Sequence, residues 1–184
     1  MAPRRLAGQS AIAAGLFFAA QGAFLLAEPR LDHWTTSDNV AYGLFGIAVV
    51  LSLVSLIALE HTRVGPIGRT GRIGLIVSAV GLVSLAATAL IRIEVSDEVL
   101  DGPFLLGFLL IAVGYLLVGI WAYRSRTLPL WSAFLPWLGV LGAATLQDAH
   151  GAGLWMGLMW LLFGGVLIGL LPQGDRRQVS GQPS

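Results

Sequence analysis

The sequence predicts an all-α, polytopic membrane protein with six transmembrane helices paired as three antiparallel hairpins, N-in/C-in. Three observations carry that prediction. The first is composition. Of 184 residues, 56% are hydrophobic and only 11% charged, with a mean hydropathy of +0.80. A soluble domain carries about 25% charged residues, so this chain has too little polar surface to cover a water-soluble globule. The second is a ladder of apolar stretches approaching the roughly 20 residues that a hydrocarbon core of about 30 Å demands. The third is that arginine-bearing and carboxylate-bearing gaps alternate between those stretches.

In chain order the predicted spans are 6–27, 40–59, 73–91, 103–123, 130–146 and 152–171. They make one transmembrane domain over residues 1–172, with no room for a separate soluble domain. Arg4 and Arg5 precede the first span, whose apolar run is longer than a signal h-region of 7–15 residues. Leu25 stands where a cut after Ala27 wants a small residue, so the first span is read as retained. Ser37 and Asp38 are placed to cap the second span, and Thr70 the third. Asp101-Gly102-Pro103 opens the fourth, where a first-turn proline loses no hydrogen bond. The fifth is the shortest and contains Pro136, which is expected to kink or tilt it. The tail 173–184, rich in Gln, Gly and Arg, reads as a disordered cytoplasmic segment.

Arginine and lysine accumulate in short cytoplasmic loops. Arg63, Arg69 and Arg72 lie between the second and third spans, Arg124 and Arg126 between the fourth and fifth, and Arg176 and Arg177 after the last. That puts both termini and these loops inside. Glu28, Asp32, Asp38, Glu94, Asp97, Glu98, Asp101 and Asp148 then face outward. Arg30 and Arg92 depart from the rule. The localisation this implies is the cytoplasmic (inner) membrane, multi-pass. Arginine in place of lysine, with abundant Ala, Gly and Leu, points to a bacterial genome rich in GC.

Helices in lipid associate through small residues, because hiding apolar area gains nothing there. The first span carries Ala7, Ala11, Gly15, Ala19, Ala23 and Ala27 at i, i+4. The last has Gly153, Gly157, Gly165 and Gly169, and the third mixes Gly74, Ser78, Gly81, Ser84 and Thr88. Such a stripe packs helices within one bundle or docks a partner, either another membrane protein or a second copy. The tryptophans gather towards span ends, as an aromatic belt does. Trp155, Met156, Met159 and Trp160 are the alternative case, a pocket lining.

The chemistry-bearing residues are few. Cysteine and lysine are both absent, which excludes disulfides, thiolate metal sites, cysteine nucleophiles, Schiff bases and a P-loop lysine. No cofactor, metal or nucleic acid is expected. The deepest polar groups are Gln21, Ser52, Ser55, Ser78, Ser84, Thr88 and Tyr115, all neutral, which disfavours an ion or proton pump. Glu28, Asp32, Asp97 and Asp101 are the candidate acid–base residues if the outer rim is catalytic, in the manner of a terpenoid cyclase or isomerase. Arg92, Tyr115 and Trp155 are the candidate contacts for a lipophilic or amphipathic small molecule. Gly65, Gly68 and Gly71 among arginines read as a basic turn against anionic lipid heads, with Glu60 and His61 pairing those arginines.

Three functional readings follow: association with partner membrane proteins, a binding or carrier subunit for a lipophilic molecule, and an enzyme working at the rim. In size, helix number and the Ala-xxx-Ala face of its first span, the chain resembles the substrate-binding components of energy-coupling factor vitamin transporters. That resemblance implies the second reading.

Overall fold

The computed structural model describes residues 3–27, 36–61, 68–94, 101–126, 128–146 and 151–170. Among them are seven helices and no strand: α1 Pro3–Ala27, α2 Thr36–Glu60, α3 Arg69–Glu94, α4 Asp101–Arg124, α5 Leu130–Ala133, α6 Leu135–Leu146 and α7 Ala152–Leu167. The all-α class is borne out. Helices α1 to α4 are long and apolar enough to cross a membrane, whereas α6 and α7 are apolar but shorter. The 24 to 26 residues of α1–α4 correspond to about 36–39 Å.

These long helices overrun the apolar stretches by up to a turn, because helix geometry continues where the sequence becomes polar. In consequence the capping assignments shift. The first backbone bond of α3 runs from Arg72 N–H to the Gly68 carbonyl, so Gly68 starts that helix and Thr70 lies inside its first turn. Ser37, Asp38 and Asp101 likewise fall within the first turns of α2 and α4. Pro103 keeps its predicted first-turn position.

The fifth predicted span is a broken one. Helix α5 stops at Ala133, Phe134 adopts φ −103° and ψ 1°, and α6 begins at Leu135. A proline at 136 has no N–H for the Ser132 carbonyl, and its ring collides with that carbonyl in a continuous helix. The break falls two residues ahead of the proline for that reason. Regular bonding resumes with Leu138 N–H to Phe134 at 2.9 Å.

The sixth predicted span also ends early. Leu170 N–H bonds the Gly165 carbonyl and Gly169 N–H bonds Val166, the paired bonds of a Schellman stop. Gly169 takes φ +81°, a conformation that side chains disfavour. It therefore terminates α7, and the Gly165-xxx-Gly169 pair is not a packing motif.

Each long helix packs on its sequence neighbour, α4 meets α5 and α6, and α7 returns against α1. The result is a closed ring in chain order. Register fixes the directions. Gly8 lies against Gly164, Gly15 against Gly157, and Gly22 against Gly153, so α1 and α7 run oppositely. Ser55 donates to the Ala7 carbonyl at 2.8 Å, which makes α1 and α2 opposite as well. Gly74 meets Leu117 and Val118 while Gly81 meets Gly107, setting α3 against α4. Outside the ring, Leu, Ile and Val side chains such as Leu16, Val50, Ile76, Val83 and Leu109 are exposed. A continuous apolar girdle of that kind suits lipid rather than water.

Candidate functional site

The axis of the ring is aromatic. Phe18 of α1 meets Phe45 of α2 edge-on, with centroids 5.9 Å apart. Phe45 meets Phe104 at 6.0 Å, and Phe104 stacks on Phe108 at 6.3 Å. Further along, Tyr115 of α4 meets Trp160 of α7 at 5.8 Å, and Trp160 meets Phe163 at 5.7 Å. Edge-to-face pairs at these separations are favourable beyond the area they bury. A small void sits among these rings, lined by Phe18, Phe45, Val49, Leu82, Leu85, Phe108, Ile111, Tyr115, Val140, Met156 and Trp160. All six longer helices thus contribute to one wall. The void measures about 10 Å³, close to the least space that holds a single water.

Most polar groups near the axis are satisfied, by a carbonyl one turn earlier in the same helix or by a neighbouring helix. Tyr115 shares a hydrogen bond with Ser52, and Ser52 Oγ donates to the Ala48 carbonyl at 2.9 Å. Because a serine has one hydrogen to give, Tyr115 is the donor in this chain of bonds. Thr88 donates to the Ser84 carbonyl at 2.8 Å. Ser78 is the exception: it is fully buried, its hydroxyl has no partner, and it lies against Gly114. The described part of this wall is neutral and apolar. What it offers is shape and ring faces, with the Tyr115 phenol as its one titratable group.

The sequence-predicted residues are placed as follows. Tyr115 is buried on the axis. Trp155 is half-buried, and its indole donates to the Leu138 carbonyl at 2.9 Å, tying α7 to α6. Met156 and Trp160 line the void, while Trp155 does not. Arg92 belongs to α3, but its side chain lies outside the described residues. So do Glu28, Asp32, Asp97 and the side chain of Asp101. Glu60 is exposed with no ion pair to a described arginine, and His61 Nδ1 faces its own helix at the Ile57 carbonyl, 2.8 Å away.

The small-residue stripe divides. Ala7 and Ala11 are fully buried, and Gly15, Gly153 and Gly157 are buried where α1 and α7 cross. A Cβ on Gly157 would lie 2.7 Å from the Gly15 carbonyl oxygen and 2.7 Å from Ala19 N. These residues face the chain's own helices. Ala19 is half-buried, and Ala23 is exposed with Ala20 and Ala27 on the outer side of α1.

Two features escaped the sequence reading. Gly8, Gly15 and Gly22 recur every seventh residue, a spacing visible in the sequence, and this set, joined by Ala19 of the i, i+4 stripe, makes the α7 contact. Arg4 reaches the far end of the chain, its Nε donating to the Leu167 carbonyl at 3.1 Å, where a cation offsets the helix C-terminal dipole. Trp121 and Trp160 are buried and serve packing, not the interface; Trp131 is exposed, as a belt residue would be. Comparison with known proteins finds no matching family model, no matching curated protein and no matching solved structure.

Proposed function

We propose that the chain is a six-span protein of a bacterial cytoplasmic membrane, built of three antiparallel hairpins with both termini in the cytoplasm. It acts through helix-mediated association with partner membrane proteins. In this reading α5, α6 and α7 with their flanking residues make the fifth and sixth spans. The opposed registers support it, because they gather Arg4, Arg5, Arg69, Arg72, Arg124 and Arg126 at one end of the bundle.

The observation that carries association is the outer face of α1. Helices α2, α3 and α4 present Ile, Val and Leu outward. Helix α1 also presents Leu6, Leu16 and Leu26, but between them it exposes Gln9, Ala20, Ala23 and Ala27. Small residues on a lipid-facing surface let another helix approach closely, and a glutamine supplies an interhelical hydrogen bond. The chain has no cysteine, so single-cysteine variants report contacts without background. Ala20→Cys or Ala23→Cys in native membranes is expected to cross-link to a neighbour, and Val80→Cys on α3 is not. A monomeric particle in mild detergent with no co-purifying subunit, and no cross-link at 20 or 23, would sink the proposal.

A second reading rests on the aromatic axis, whose ring faces would contact a lipophilic small molecule only once the helices part, since the void of about 10 Å³ holds no more than a water. Native mass spectrometry of protein extracted without added lipid tests it. An apolar ligand retained by the wild type and lost in Trp160→Ala supports this reading; an empty protein in both cases removes it.

A further inference from the structure

The tightest place to bring charges together is the shared end of α3 and α4. Gly71, Gly74, Gly81 and Gly114 all sit in that seam, and Gly71 faces the Trp121 ring, a Cβ there lying 2.6 Å from the indole. The first turn of α3 is therefore level with the last turn of α4. Arg69 and Arg72 lie within two residues of Gly71, and Arg124 and Arg126 follow Trp121 by three and five residues, so two adjoining helix ends carry four arginines at one level of the bundle. All four are exposed, and among the described residues no carboxylate pairs with them. The connection 125–130 contains no acid in the sequence, and Glu60, the last residue of α2, is exposed without an ion pair to a described arginine.

Like charges gathered this way repel one another unless a counter-charge is present. Arg69, Thr70 and Gly71 N–H precede the first helical bond, that of Arg72 to Gly68, and so have no intrahelical acceptor. An anion is favoured at such donors. Beside the arginines, Ile73 and Ile76 are exposed on α3 and Tyr123 on α4, a surface for an acyl chain and its interfacial edge.

We propose that this α3–α4 end is a binding site for an anionic lipid whose headgroup carries two phosphates. A head with one phosphodiester would neutralise a quarter of the four charges and one with two would neutralise half, and clustered arginine at a membrane surface recognises such multiply charged heads. The proposal is independent of the association surface on α1.

The test uses the full chain in nanodiscs or mild detergent, with cardiolipin as the two-phosphate lipid. Cardiolipin is expected to be retained about tenfold better than phosphatidylcholine and better than phosphatidylglycerol. A cardiolipin carrying a photoreactive headgroup should label the segments 61–76 and 117–131 of the wild-type protein. In Arg124→Gln/Arg126→Gln, retention should fall about tenfold, and in Arg4→Gln/Arg5→Gln by less than about twofold. The charge-keeping Arg124→Lys/Arg126→Lys guards against misfolding and should keep at least partial binding. Equal loss in both glutamine variants, or labelling spread over the α1 and α7 ends, would mean a diffuse basic surface and overturn the site. Displacement of cardiolipin by an equal concentration of inorganic pyrophosphate would assign the site to a soluble diphosphate and overturn the lipid.

Discussion

Helix α7 packs against α1 on one side and α6 on the other, and glycine has a different task at each seam. Towards α1, an added Cβ would strike backbone along most of the seam: at Gly15 it would lie 2.8 Å from the Gly157 carbonyl oxygen, and at Gly164 it would lie 2.7 Å from the Gly8 carbonyl oxygen, while at Gly8 it would first meet the Ile168 side chain. Towards α6, an added Cβ would strike side chains instead. Gly139 faces the Met156 sulfur at 3.0 Å, and Gly142 faces the Trp155 indole. The first seam is two backbones in contact, which cannot yield without separating the helices. The second is a hole that holds a ring, and a ring can turn away. Glycine content alone thus says little about tolerance; what the Cβ would meet decides it.

Substitutions can break this contrast in order of size. Gly157→Leu should be the most damaging, because neither Gly15 nor Ala19 can move aside without opening the ring. We expect a loss of about 3 kcal/mol or more, seen as unfolding at much lower SDS in mixed micelles. Gly142→Ala should cost about 1–2 kcal/mol. It forces the indole off the Leu138 carbonyl, so tryptophan emission should shift as well. If Gly142→Ala proves as harmful as Gly157→Leu, the contrast between backbone and side-chain seams is wrong.

Smaller effects sharpen the picture. Ser55→Ala removes the bond to the Ala7 carbonyl between α2 and α1, and a bond of this kind in a bilayer averages about 0.6 kcal/mol. Gly43→Ala and Gly46→Ala have nothing within 4 Å of the new Cβ. They should be neutral or stabilise by up to about 1 kcal/mol through helix propensity. A marked loss at either position would mean that the outer side of α2 is covered, and co-purification would then identify what covers it.

How much of this was legible in the sequence differs between elements. The segments that became α1 to α4 were readable because length and hydropathy suffice for them. The fifth was read as kinked, but the break at Phe134 depended on which carbonyl the Pro136 ring would strike. Gly169 shows the limit of motif reading: a small residue four positions after another looked like a packing pair and is a left-handed helix stop. For the candidate site, Tyr115 and the Met156–Trp160 turn were picked out, whereas Phe18, Phe45 and Phe108 were not. They come from three different helices, and no local pattern links them.

The rotational setting of α1 is the clearest case of what the sequence withholds. In water the inner face of a helix announces itself by being apolar. In lipid both faces are apolar, and α1 has small residues on two of them. Ala7, Ala11 and Gly15 became buried and Ala20, Ala23 and Ala27 exposed, an outcome set by the glycines at 8, 15 and 22 meeting α7. By itself the sequence determined that the chain is helical, that its apolar segments suit a bilayer, and that arginine and carboxylate alternate along it. Those properties depend on each segment's own residues and solvent. Which faces meet, where α7 ends, and which helix ends lie level were decided only by tertiary packing, because close approach of two backbones is a property of pairs that no single segment contains.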